Sequence, residues 1–170
     1  NNVLTDFLST GTYDRNRTFF NTISPSMDIL ISSNLERLLL AITQEDSEVR
    51  GYMEQLNATG RYQVSDRVRE KIQKLFKGYC CGDEETNHEK FGYLIDPHTA
   101  VGFSALSQYR AETGDETAAI VASTASPFKF CTDVLDALGV SDRAQGLDVL
   151  DQLSQVTGEP VPAPLAALRS

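Results

Sequence analysis

The sequence predicts an α/β domain, and three observations carry that expectation. Apolar residues recur at the helical period in several segments. The run Ala118 to Ser123 is short, apolar and bounded by polar residues, as in a strand buried on both faces of a parallel sheet. That run leads through a tight turn directly into a helix. Hydrophobic residues make up 41% and charged residues 23% of the 170, with only 11 Gly and 6 Pro, so the chain is suited to burying a core and is neither disordered nor fibrous. One compact unit is the expectation for this length.

Taken in order, Leu4 to Gly11 opens the chain, and Thr22 to Leu30, which mixes a proline with alternating small and apolar residues, reads as loop and short strand. Asn34 stands as N-cap before Leu35, Leu38, Leu39 and Ile42, a spacing that puts four apolar side chains on one helical face. A second helix runs from Ser47 with Val49, Tyr52, Met53 and Leu56 in phase, and Gly60 terminates it. A third starts at Ser65, with Val68, Ile72, Leu75 and Phe76 inward and Lys71, Lys74 and Lys77 on a solvated face. Gly78 to Asn87 is rich in turn residues. The residue before a proline is pushed out of the α region, so Asp96-Pro97 ends what precedes it. A helix restarts near Pro97, with Val101, Ala105, Leu106 and Tyr109 as its apolar stripe and Gly114-Asp115 as its close. After the strand, Ser126 as N-cap and Pro127 at the first helical position open a helix whose face is Phe130, Val134, Leu135 and Leu138, stopped by Gly139. The tail from Ser141 holds one more helix, with Leu147, Leu150 and Leu153 inward, before Pro160, Pro162 and Pro164.

A formal net charge of -9 and a pI near 4.6 disfavour phosphodiester backbones and anionic lipid surfaces as partners. The longest apolar stretches, Leu38 to Ile42 and Ala118 to Ala122, fall far short of the roughly 20 residues that cross a bilayer. Asn1 carries no initiator Met, basic n-region or signal-type apolar core behind it, and reads as an internal start. Three cysteines, an odd number with Cys80 and Cys81 adjacent, do not make a secreted disulfide framework, so a reducing, cytoplasmic setting is expected.

The local feature with the most chemistry in it is Ser123-Thr124-Ala125-Ser126-Pro127, at the carboxyl end of the expected strand, where open α/β sheets bind ligands. Hydroxyls there can meet a ligand heteroatom, and the helix behind them favours an anion. The same residues also read as a cap at Ser126 and a turn contact at Thr124, and pattern alone favours that reading. Cys80, Cys81, His88 and Asp83 lack a Cys-x-x-Cys pair and a second nearby His, so no metal is expected. His98 could be a ligand or a base, but a polar contact at a helix start is the reading the sequence favours. No Gly-rich phosphate loop and no nucleophile elbow is present.

Four blocks nevertheless stand together in one order: Asn1 to Leu8 with Gly11 to Asp14 and Arg17; Ser24 to Leu30 with Ser32 to Arg37; Asp96 to Gly102; and Ser123 to Phe130. Over most of positions 1 to 138 they resemble threonine synthases of the longer, yeast and bacterial kind. The resemblance implies a pyridoxal-phosphate-dependent lyase of the tryptophan-synthase-β type (fold type II), which converts O-phospho-L-homoserine and water to L-threonine and phosphate. The chain would be its C-terminal part, a partial parallel sheet flanked by helices with a helical insertion. Residues 1–43 and 94–138 would then belong to the large cofactor domain, 44–93 to the insertion and 139–170 to a C-terminal helical tail.

By the same resemblance, the Schiff-base lysine and the loop that holds the cofactor phosphate lie upstream of Asn1, so the fragment is expected to contain no catalytic residue and to depend on the upstream part of the same polypeptide. Thr124 matches the position whose hydroxyl meets the pyridine nitrogen, and it is the one cofactor-binding residue carried over. A neutral hydroxyl does not force protonation of that nitrogen as a carboxylate would. Many relatives have His where this chain has Ser126. Lys129 falls after the pyridine contact and not at the Schiff-base position. Ser24 to Asn34, Asp96 and His98 resemble loops near the cleft and receive no individual role. The competing readings are another fold type II enzyme, such as a serine or threonine dehydratase, which the Ser24 to Asp28 block argues against, and a non-catalytic remnant that acts in binding.

Overall fold

The computed structural model describes residues 1–81 and 93–169, which divide into two units, Asn1–Cys80 and Cys81–Ser170, each with a core of its own. In the first unit, α1 (Val3–Thr10) ends at Gly11 and leads into β1 (Thr12–Asp14). Helices α2 (Ser33–Thr43) and α3 (Asp46–Thr59) follow, then β2 (Arg61–Gln63) and α4 (Asp66–Leu75). The two strands pair antiparallel with Tyr13 opposite Tyr62. Gly60 makes the turn from α3 into β2 at φ 76°, and a Cβ there would collide with the Asn16 amide, whose Nδ2 donates to the Thr59 carbonyl at 2.9 Å. Only glycine meets both requirements.

Side chains with no exposed surface, Val3, Phe7, Leu39 and Val68, close this core around an aromatic stack. Tyr13 and Tyr62 stack at 5.4 Å, Tyr52 stacks on Tyr62 at 5.4 Å, and Phe7 meets Tyr13 and Tyr62 edge-on at 5.8 and 5.9 Å. The Tyr13 hydroxyl donates to the Leu30 carbonyl at 2.8 Å and the Tyr52 hydroxyl to Glu48 at 2.7 Å. The Tyr62 hydroxyl is buried without a hydrogen-bond partner among the described residues, and burial drives its pKa up. Tyr62→Phe keeps the stack and removes the unpaired group, so unfolding free energy should stay level or rise by up to about 1 kcal/mol. A fall of more than about 1 kcal/mol in urea denaturation would show that the hydroxyl has a partner.

The second unit holds α5 (Pro97–Thr113), a 3₁₀ turn at Pro127–Lys129, α6 (Cys131–Ala137), α7 (Asp148–Thr157) and α8 (Ala163–Ala166). Leu94, Phe128, Cys131, Val134, Leu135, Leu150 and Leu153 form its core. Burial pushes the Cys131 thiol up, and its Sγ–H donates to the Phe128 carbonyl at 3.2 Å, so this cysteine is a packing residue.

Several expectations need correction. The only sheet among the described residues is the antiparallel pair β1–β2, and Ala118 to Ser123 has no strand partner: Ile120 is 100% exposed. A parallel strand requires neighbours along its edges, and no other described strand is available to pair with it. Thr22 to Leu30 contains a 3₁₀ turn at Pro25–Met27 and no strand. Helix α2 begins one residue earlier than Asn34, whose Oδ1 accepts from Arg37 Nη1 at 3.1 Å instead of capping. Leu75 and Phe76 are exposed because the backbone turns extended at Phe76 and leaves the helical phase. In α5 the buried face is Pro97, Ala100 and Ser104, with Val101, Ala105, Leu106 and Tyr109 only half-covered. Leu147 is the N-cap of α7 and is largely exposed, while Leu150 and Leu153 are buried as expected.

Candidate functional site

The N-terminus of α5 is built on one buried carboxylate. Asp96, with no exposed surface, is the N-cap, and Pro97 follows at the position where a missing N–H costs nothing. Asp96 Oδ1 accepts from the His98 backbone N–H at 3.0 Å, from His98 Nδ1 at 3.0 Å and from the Thr99 N–H at 3.4 Å. The other oxygen, Oδ2, accepts the Thr99 hydroxyl proton. The His98 ring packs against Phe130 with centroids 4.6 Å apart. The structure therefore puts His98 in the capping network, as a polar contact at the helix start. Removing the Asp96 carboxylate strips the cap and leaves buried donors unpaired, so Asp96→Ala should lower unfolding free energy by about 1 to 3 kcal/mol. Thermal melting checks this, and an unchanged melting temperature would contradict the network.

The chain then returns along α5 in the opposite direction. The Thr117 hydroxyl, the Tyr109 phenol and the Thr117 backbone N–H hold the Asp115 carboxyl at about 2, which fixes the turn after Gly114. Arg110 Nη2 donates to the Thr117 carbonyl at 3.1 Å. Val121 approaches so closely that a Cβ on Gly102 would sit 3.0 Å from its Cγ1. Ser123 Oγ lies 3.0 Å from Thr99 Oγ1. From Thr99 to Arg110 the helix rises about 16 Å, and Thr117 to Ser123 spans that length only when nearly extended. The sequence blocks Asp96 to Gly102 and Ser123 to Phe130 are thus brought side by side.

Within Ser123 to Ser126 three hydroxyls have different fates. Ser123 is bonded to Thr99, and Ser126 Oγ accepts from the Phe128 N–H at 3.3 Å as cap of the 3₁₀ turn. Thr124, between them, is exposed and forms no hydrogen bond with the described residues. Lys129 is exposed on the turn itself. A small apolar pocket lined by Leu94, Ile95, Pro97, Ala100, Val134 and Leu138 lies in the same unit, but it offers no polar group for chemistry. No group of three or more potential metal ligands occurs among the described residues; Cys80 is exposed, and His88 and Asp83 lie outside the described residues.

In the first unit, the polar residues of the other two blocks hold their own loops together. Arg17 bonds Asp6 at 2.7 Å, Asn2 at 3.0 Å and the Asp14 carbonyl at 2.8 Å. Asp28 accepts from Asn1 Nδ2 and the Thr22 N–H at 2.7 Å and from the Thr22 hydroxyl at 2.9 Å. Sequence reasoning assigned no individual role to Thr99 or Ser123. The available signal was Asp-Pro-x-Thr, a cap followed by a hydroxyl at the third helical position.

Comparison with known proteins places these features. A family model described as threonine synthase, C-terminal, matches residues 99–168. Threonine synthase of Saccharomyces cerevisiae is 34% identical over 174 residues, covering 89% of this chain and 34% of that protein. A crystal structure of threonine synthase from yeast superposes with a TM-score of 0.76 at 31% identity, over 98% of this chain and 35% of that one. A pyridoxal-phosphate-bound threonine synthase from Brucella melitensis gives a TM-score of 0.67 at 35% identity, over 90% of this chain and 33% of that one. The chain spans between a fifth and about a third of the length of the curated relatives it matches.

Proposed function

Since the chain belongs to the threonine synthase family, to whose C-terminal region it corresponds, we propose that it is the part of a pyridoxal-phosphate-dependent threonine synthase that supplies the hydroxyl facing the cofactor's ring nitrogen. The whole polypeptide then converts O-phospho-L-homoserine and water to L-threonine and phosphate, in the cytoplasm. No helix among the described residues is long and apolar enough to cross a membrane. Residues 1–43 and 94–138 belong to the cofactor domain, 44–93 to the insertion and 139–170 to the tail.

The observation that carries this reading is the exposed Thr124 hydroxyl, without a hydrogen bond among the described residues, between Ser123, bonded to Thr99, and Ser126, whose oxygen caps the following turn. The residues present fit the cofactor: a neutral donor, exposed and unpaired among the described residues, stands ready for a ring acceptor that brings no proton of its own. Pyridoxal phosphate, when bound, withdraws electron density from the substrate's amine-bearing carbon. This chain's part is to bind and orient. Thr124 donates to the ring nitrogen, Ser126 keeps the following turn closed, and Asp96 keeps α5 capped beside it. The exposed apolar residues Phe19, Phe20, Ile31 and Ile120 support a further stretch of polypeptide covering these surfaces.

The test is an assay of the full-length polypeptide loaded with pyridoxal phosphate. Phosphate and L-threonine should appear in equal amounts from O-phospho-L-homoserine. Conversion of threonine to a 2-oxo acid and ammonia, without threonine formation from the phosphate ester, would replace this reading with a dehydratase.

A further inference from the structure

We propose that Thr99 is a positioning residue for Thr124, a relay that ties the loop bearing the cofactor-facing hydroxyl to the buried carboxylate of Asp96; the inference rests on the assignment of Thr124 made above. An N-cap needs one carboxylate oxygen, and Oδ1 of Asp96 already serves both backbone N–H groups. Oδ2 is left for the Thr99 hydroxyl. A threonine hydroxyl has a single proton, and here it goes to a carboxylate, so the Ser123 hydroxyl must donate to Thr99 across their 3.0 Å separation. Asp96 is 0% and Thr99 3% exposed, and in such surroundings a charge-assisted bond is strong and its geometry narrow. β-branching restricts Thr99 further.

The other end of the relay is where a constraint matters. From Ala118 to Ala125 the backbone forms no hydrogen bond with the described residues, so among these residues the Ser123–Thr99 bond is the one hydrogen bond holding the loop between Thr117 and Ser126. Thr124 is the next residue along. The Thr99 hydroxyl pairs the buried Asp96 Oδ2, but Ser123, exposed at its own end, is needed neither for that pairing nor for the cap, so its bond to Thr99 adds a hold on the loop beyond stabilising α5.

The experiment uses the full-length polypeptide and reads the dissociation constant for pyridoxal phosphate and the position of its visible absorption band, together with melting temperature. Thr99→Val and Ser123→Ala should each weaken cofactor binding about two- to tenfold and shift the band, while Thr99→Ser restores both. Because Thr99 acts through Thr124, adding Thr99→Val to Thr124→Val should cause little further loss. Independent, multiplying losses in the double variant would overturn the proposal, as would wild-type affinity and band in both Thr99→Val and Ser123→Ala while Thr124→Val is impaired. Wild-type behaviour of Thr124→Val itself would instead remove the Thr124 assignment, and the relay's function with it. Should Thr99→Val fail to fold, Ser123→Ala breaks the same link at its exposed end and decides alone.

Discussion

The 170-residue chain on its own should release no phosphate from O-phospho-L-homoserine under conditions in which the full-length polypeptide turns over. Covalent catalysis of this class needs a lysine that reaches the cofactor from a desolvated pocket. Among the described residues Lys71, Lys74, Lys77 and Lys129 are all exposed, on the outer face of α4, just beyond it, and on the turn before α6. The pocket in the second unit has an apolar lining with no lysine in it. Thr124 and Ser123 face solvent on an extended segment whose apolar Ile120 is wholly uncovered, so water is not excluded from the one candidate contact. Adding pyridoxal phosphate to the purified chain should give no stoichiometric absorption band beyond that of free cofactor. A one-to-one band that disappears in Lys129→Ala, or measurable phosphate release, would show that the chain carries its own covalent site.

Helices α2, α3 and α4 of the first unit were legible because each buries a continuous apolar face within the unit itself, whereas Leu4 to Gly11, read only as an opening segment, forms α1. Val49, Tyr52 and Leu56 of α3 and Val68 and Ile72 of α4 are buried as their spacing predicts, and Gly60 takes the left-handed conformation its position suggests. Legibility failed where the partner of an apolar face is not among the described residues. Ala118 to Ser123 has the composition of a central strand, yet period and composition report what a segment is suited to pack against and cannot supply the neighbour. The stripe on α5 failed for a related reason: its covered face is small and polar, organised by Asp96 and Thr99, while the larger apolar side chains stay half-open. At the candidate site, sequence pattern singled out the stretch from Ser123 to Pro127 but could not divide its hydroxyls into committed and free. That division comes from three-dimensional hydrogen bonding, the link from Ser123 to Thr99 across 24 positions and the local cap at Ser126. The resemblance to the family named Thr124; in the structure Ser123 is bonded to Thr99 and the Ser126 oxygen accepts the Phe128 N–H, while Thr124 has no such bond among the described residues.

Thr124→Val in the full-length polypeptide should lower turnover by about one to two powers of ten with the melting temperature unchanged. Valine matches threonine in shape, and the Thr124 hydroxyl makes no hydrogen bond with the described residues that its removal would break. Stability is therefore indifferent to the change, in contrast to Asp96→Ala. What is lost is a donor to the ring nitrogen, and leaving such an acceptor unpaired in an enclosed site costs about 1 to 3 kcal/mol. That loss should be shared between turnover and cofactor affinity. Thr124→Ser retains the donor and should keep most of the activity, which separates loss of the hydroxyl from loss of the methyl. The measurement is kcat for both variants at saturating pyridoxal phosphate and substrate, with melting curves alongside. Near wild-type turnover in Thr124→Val would withdraw Thr124 from the cofactor and leave it as a solvent-exposed loop residue beside the cap at Ser126.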